Sequence, residues 1–228
     1  MTDLWTCHLG RVEYREAAAL QERLRERVIA GDLPDLLLLL EHPPVYTLGR
    51  RSEPSDLPLS EEFLRAQGID VVSTPRGGKL TYHGPGQLVG YPIMRVDSVV
   101  AFVQAMERAI VAALGEAGVE ATIREGREYT GVWVGGRKIA SIGIHLSHGV
   151  SSHGFAVNVE NDMAPFEWAV ACGLPGVRMT SVREHGVAEG VECFRKRMGH
   201  AFARELGRRQ RLVSLRRLET REPAWTSA

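Results

Sequence analysis

Cys172 opens the run Cys-Gly-Leu-Pro-Gly, a turn of the kind that presents a side chain rather than packing it. An ordinary thiol, with a pKa of about 8.5, is only a few per cent thiolate at neutral pH, so a nucleophile here needs a cation beside it. The segment before the turn reads as helical, and the negative C-terminal end of a helix makes ionisation harder still. His83, His145, His148 and His153 are candidate partners. Lys138 is the sharper one. It follows the Gly135-Gly136 turn and opens the apolar strand Ile139-Ala-Ser-Ile-Gly-Ile144. A lysine in such a place is ordinarily just solvated, but desolvated beside a thiol its ammonium favours the thiolate and can shuttle a proton. Cys7, in a strand, and Cys193, beside Phe194 on the last helix, read as small buried hydrophobes.

The second chemical feature is the run Arg76-Gly-Gly-Lys-Leu-Thr-Tyr-His-Gly-Pro-Gly-Gln87, continuing to Pro92. Closely spaced glycines let main-chain N–H groups approach a ligand with no Cβ in the way. A tight hairpin would explain Gly77-Gly78 alone, but not Arg76, Lys79, Thr81, Tyr82 and His83 on the same loop. The run is not a Walker loop, and Gly84, Gly86 and Gly90 have the wrong spacing for a dinucleotide fingerprint. Four histidines invite a metal reading. No His-Glu-x-x-His occurs, however, and acidic ligands are missing from the segments that carry them, so no metal is expected.

With 228 residues the chain can bury a real core as one domain. Lys+Arg and Asp+Glu both number 28, which gives no overall pull toward nucleic acid or membrane. Two basic runs, Arg195-Lys196-Arg197 and Arg208-Arg209-Gln210-Arg211, read as a solvated face of the last helix and its exit; the alternative is a landing patch for an acidic partner. Three scattered cysteines indicate neither disulfides nor a zinc knuckle. There is no signal pattern, and the longest apolar run, Leu36 to Leu40, is too short to cross a bilayer, so a soluble cytoplasmic protein is expected.

Strands are predicted over Leu4–Val12, Asp35–Glu41, Val45–Leu48, Ile69–Thr74, Gln87–Val96, Thr130–Val134, Lys138–Leu146, Val150–Val159 and Arg211–Leu218. Helices are predicted from Tyr14 to Gly31, from Ser60, from a cap at Asp97 or Ser98 to Gly118 and over Val191–Leu206, with a helical turn over Pro165–Ala171. In the third helix Val99, Phe102, Val103, Met106, Ile110 and Leu114 form the expected buried stripe. Hairpins mixed with separated helices predict an α+β fold around a mixed, largely antiparallel sheet flanked by helices.

The Arg76–Gln87 run, Lys138-Ile-Ala-Ser-Ile-Gly143, His153-Gly-Phe-Ala-Val-Asn158 and Cys172-Gly with Thr180-Ser-Val182 resemble, in order and spacing, the motifs of the lipoyl(octanoyl) transferase family. Two departures are Pro75, where an acidic residue often stands, and Ser152, where an aromatic often stands and whose change could alter the wall of the acyl pocket. The resemblance implies a fold similar to biotin and lipoate protein ligases, with one catalytic acyltransferase domain over residues 1–218 and a flexible tail over 219–228. It implies octanoyl transfer from octanoyl-acyl-carrier protein to a lysine of lipoyl domains of 2-oxoacid dehydrogenase and glycine-cleavage complexes, with no cofactor. Cys172 would carry the acyl thioester and Lys138 would lower its pKa. The substrate site would comprise Arg76, Gly77, Gly78, Lys79, Leu80, Thr81, Tyr82 and His83, then Ser141, Ile142 and Gly143, then Gly154, Phe155 and Ala156. The alternative is an ATP-dependent lipoate or biotin ligase on the same architecture, which needs no nucleophilic cysteine.

Overall fold

Five consecutive leucines form a strand that serves two cores at once. In the computed structural model, which describes residues 2–169 and 176–220, β2 (Leu36–Glu41) buries all five. Leu37 and Leu39 join one apolar cluster, while Leu36, Leu38 and Leu40 join another on the opposite face. Side chains alternate across a strand, so a run of leucines is stable only where both faces are covered; each contributes about 1.5–3 kcal/mol on burial.

The cover on one face is α1 (Tyr14–Ala30), which ends where Gly31 turns left-handed at φ 83° and its N–H caps the carbonyls of Arg27 and Val28. The other face is covered by α3 (Val99–Glu116) and α4 (Val191–Glu205). Ser98 caps α3 by accepting the Ala101 N–H. Val99 is 45% exposed and not part of the stripe; it lies in the first turn, before the helix reaches the core, and Ala105, Ala109 and Ala113 are buried along it instead.

The large sheet is completed by β1 (Asp3–Arg11), β6 (Gln87–Ile93), β7 (Thr122–Ile123), β8 (Gly131–Val134), β9 (Arg137–Ser147), β10 (Val150–Asn158) and β11 (Arg209–Leu212). Its order is β11-β1-β2-β6-β10-β9-β8-β7, with β11, β1 and β2 parallel and the rest antiparallel. The mixed, largely antiparallel α+β expectation holds. A second sheet holds β3 (Val45–Leu48) between β4 (Asp70–Ser73) and β5 (Thr81–His83), with α2 (Glu61–Ala66) packed against it through Leu64.

Four local readings change. The glycine run is not loop throughout, because Thr81, Tyr82 and His83 pair with β3 as β5. The expected last strand over Arg211–Leu218 is β11 followed by α5 (Leu215–Glu219); Ser214 accepts the Arg217 N–H as its cap, and Leu218 is buried. Cys193 is exposed, since the stripe of α4 runs through Val191, Phe194, Met198 and Phe202 and leaves position 193 outside; Cys7 is buried as expected. Among the described residues the helical turn expected over Pro165–Ala171 is a 3-10 turn at Ala164–Phe166. Cys172 and the run to Pro175 lie outside the described residues, as does the expected tail from 221 on. Among the described residues no helix is long and apolar enough to cross a membrane.

Candidate active site

Lys138, second residue of β9, is only 2% exposed. Its main chain is held from the far side by the strand-like stretch after residue 176: Lys138 N–H donates to the Arg178 carbonyl and the Thr180 N–H donates to the Lys138 carbonyl, both at 2.9 Å. The side chain runs past Gly131, where an added Cβ would lie 2.7 Å from Lys138 Cε and 2.3 Å from the Ala140 carbonyl oxygen. Only glycine leaves that passage open. Its Nζ stands 5.5 Å from the centre of the Trp133 ring. Among the described residues no carboxylate lies within ion-pair distance of it.

Lys138 lines a slot of about 80 Å³ with Gly78, Lys79, Leu80, Thr81, His83, Ser141, Ile142, Gly143, Gly154, Phe155 and Ala156. Most of the residues expected at a substrate site therefore meet here, although they come from three separate stretches of chain. The glycine loop lies directly on β9. Gly77 N–H donates to the Ile144 carbonyl at 2.9 Å, and a Cβ on Gly143 would sit 2.7 Å from the Gly77 carbonyl oxygen. That N–H is therefore occupied and is not free to stabilise an oxyanion. Gly77 itself does not line the slot, nor does Tyr82, whose ring packs between Tyr46 and Phe166 at 5.4 and 5.5 Å. Lys79 lines it while tied at the rim to Asp56 and Glu53, at 3.4 and 3.6 Å.

Arg76 lines the slot and also braces it. Its guanidinium donates to the Thr47 carbonyl at 2.6 Å and hydroxyl at 2.8 Å. A polar chain continues through the protein from there. Thr47 Oγ1 meets His83 Nε2 at 3.5 Å, and His83 Nδ1 donates to Gln87 Oε1 at 2.7 Å. Gln87 then donates to Asn158 Oδ1 at 2.9 Å, and Asn158 donates to the Thr180 carbonyl at 3.0 Å. Thr180 is the residue whose N–H holds Lys138.

Three of the four candidate histidines are held neutral by burial. Burial pushes His153 down to about 3 and His83 well below the usual range, and it lowers His145 too. His148 sits in an exposed turn at φ 50°. The residues not anticipated at the slot are Tyr14, Arg51, Val89, Tyr91, Arg127, Glu128, Thr130 and His153. Tyr14 read as helix core; His153 opens one of the family motifs and was a candidate cation, but the expected substrate residues of that stretch began at Gly154. Ser152 lines a second cavity behind the slot, not the slot itself. The two basic runs are largely neutralised at home: Arg197 pairs with Glu189, Arg208 with Asp35, and Arg209 with Asp3. At the slot, Arg51 and Arg127 have no carboxylate partner among the described residues.

The Lipoyl protein ligase A/B catalytic domain family matches residues 13–203. The chain is 46% identical over 202 residues to the octanoyltransferase of Solibacter usitatus, covering 86% of this chain and 90% of that one. It is 47% identical over 198 residues to the octanoyltransferase of Desulfotalea psychrophila, covering 83% and 88%. Among solved structures it is similar to a bi-partite lipoate protein ligase from Thermoplasma acidophilum, with TM-score 0.75 at 16% identity over 94% of this chain and 88% of that one. A biotin protein ligase from Aquifex aeolicus is more distant, at TM-score 0.52 and 12% identity over 91% and 70%.

His42 gives this region a pH signature. Its Nδ1 donates to the Val12 carbonyl at 2.6 Å, so Nε2 accepts from the Tyr91 hydroxyl at 2.7 Å, and burial pushes its pKa down to about 4. A histidine neutral in the folded state but protonated below about 6.5 when unfolded makes the unfolded state bind more protons in between. Stability is therefore expected to be full above pH 6.5 and to fall as pH drops toward 4, by about 2 kcal/mol at pH 5 from His42 alone. Urea unfolding at pH 7 and 5 measures this, with a shallower loss for His42→Gln; equal stability at both pH values would refute it.

Proposed function

This chain belongs to the Lipoyl protein ligase A/B catalytic domain family, and from that premise we propose that its octanoyl transfer passes through a thioester on Cys172. It is an acyltransferase of protein lipoylation. The observation that carries the mechanism is Lys138: a buried amine at the slot, backbone-paired to Arg178–Thr180, a few residues after Cys172 in the chain. In this reading the amine holds the thiol as thiolate, each pKa unit gained being worth about 1.4 kcal/mol.

The steps balance without nucleotide. Thiolate attack on the donor thioester forms one C–S bond and breaks another, and the departing pantetheine thiolate takes the proton that Lys138 holds. The acceptor lysine, as free amine, then forms a C–N bond as the Cys172 C–S bond breaks. Its surplus proton returns to Lys138, and the enzyme thiolate is restored. Exchange of one thioester for another is nearly balanced, and conversion to an amide is downhill. Arg76, Gly78 to Thr81, His83, Ser141 to Gly143 and Gly154 to Ala156 hold the acyl chain and thioester carbonyl, within one catalytic domain spanning 1–218. The donor is octanoyl-acyl-carrier protein and the acceptors are lipoyl domains of 2-oxoacid dehydrogenase and glycine-cleavage complexes, in the cytoplasm.

Incubation with octanoyl-acyl-carrier protein and no nucleotide is expected to add one octanoyl group to Cys172 by mass spectrometry, and Cys172→Ala to abolish both adduct and turnover. Strict dependence on ATP would instead identify a ligase that activates the carboxylate.

The rim cations Arg51 and Arg127 suit the acidic donor. Arg51→Glu and Arg127→Glu are expected to raise KM for octanoyl-acyl-carrier protein about fivefold or more at low salt, an effect that shrinks as salt screens it. Unchanged KM in both variants would move the docking face elsewhere.

A further inference from the structure

The slot and the cavity behind it share two residues, Tyr14 and His153. Both are buried, at 4% and 6% exposure. Burial raises the Tyr14 hydroxyl to about 12 and lowers His153 to about 3, so the phenol keeps its proton and the imidazole is neutral. The Tyr14 hydroxyl meets His153 Nδ1 at 3.4 Å, and the two side chains stand between the cavities.

His153 reaches this place by a backbone distortion. Val150, Ala156 and the second cavity's Ser152 face α1, whereas Phe155 and Val157 face α3 and α4, so plain alternation would send His153 away from α1. Instead it adopts φ 56°, a left-handed conformation that is costly for a residue other than glycine. The register fixed by Phe155↔Gly90 and Val150↔Arg95 sets it opposite Pro92, which has no N–H to offer. Its own N–H leaves the ladder and donates to Gln21 Oε1 of α1 at 2.7 Å. Gln21 is 2% exposed, and its Nε2 has no partner among the described residues.

Beyond the pair the environment changes. The second cavity, about 480 Å³, is lined by Gln21, Arg25, Thr74, His145 and Ser152. Among the described residues, Gln21 Nε2, Arg25 Nε and His145 Nδ1 are buried without hydrogen-bond partners. An alkyl end pushed into that space would meet a polar and charged lining that offers it no apolar partner. Along β9, Lys138 stands near the start of the strand, and Ile144, the residue paired with His153, stands six positions further on. Lys138 and His153 line the same slot from these two places.

We propose that the Tyr14–His153 pair is the end wall that sets the accepted acyl length, and that Gln21 is a positioning residue holding His153 in its left-handed turn. This rests on the acyl-thioester reading of the slot. The test loads the intact protein with pantetheine thioesters of six to fourteen carbons and reads the adducts by mass spectrometry. The native protein is expected to favour eight carbons and fall off above. Tyr14→Ala and His153→Gly are each expected to raise the dodecanoyl-to-octanoyl loading ratio at least tenfold. Glycine adopts φ 56° without strain, so His153→Gly keeps the fold. Gln21→Leu is expected to broaden the length profile when His153 is present and to change nothing further once His153→Gly is in place. An unchanged ratio in both wall variants would overturn the proposal, as would a Gln21→Leu effect that persists beside His153→Gly. If the native protein takes no octanoyl group without nucleotide, the thioester reading has failed, not the wall. The wall is then read by binding of free octanoate against dodecanoate: a gain for dodecanoate in the wall variants supports it, and none overturns it.

Discussion

An amine buried in a sheet is expensive unless something nearby profits from its charge. Moving an ammonium out of water costs several kcal/mol even after a protein relaxes around it. Lys138 stands in that position, with the Trp133 ring as its one cationic contact among the described residues. Much of the surrounding structure is arranged to keep it there. Gly131 clears a path for its stem, and the stretch from Arg178 to Thr180 fixes its backbone. On the proposed mechanism the Cys172 thiolate is the missing counter-charge, so each group stabilises the ionised form of the other.

The polar chain from Arg76 through Thr47, His83, Gln87 and Asn158 to Thr180 explains how loops far apart in sequence hold one geometry. Its middle member is a neutral histidine, so the chain carries orientation rather than charge. Each link satisfies a buried donor or acceptor that would otherwise be costly, which makes the network rigid as well as stable. A slot of this kind can hold an apolar chain against fixed walls while the reacting groups at one end stay in register.

How much of this was legible in residues alone follows physical lines. Strong periodicity located α1, α3 and α4, and the run Leu36 to Leu40 announced a strand buried on both faces. The family resemblance grouped Arg76, Lys138, Ser141 and Gly154, which the fold sets around one slot; the residue types alone did not, since a lysine at a strand start is ordinarily solvated and paired glycines ordinarily make a turn. β5 was hidden because three residues inside a glycine-rich run carry no period, and only pairing with β3 makes them a strand. Cys193 misled because a cysteine beside a core phenylalanine looks buried until the helix phase is known. Tyr14 and His153 were illegible as a pair: one depends on how α1 packs, the other on a left-handed residue opposite a proline. The basic runs read as a solvated face with a docking patch as the alternative, and the ion pairs that occupy them could not be foreseen because their acidic partners lie far away in sequence.

The most direct test of the central interaction is the pH dependence of alkylation at Cys172, followed peptide by peptide. Exposed Cys193 serves as an internal reference, and Cys7, buried and pushed up to about 11, as the unreactive control. A midpoint well below the ordinary thiol value of about 8.5, rising by one unit or more in Lys138→Met, is the expected result. The same midpoint in both proteins would contradict it.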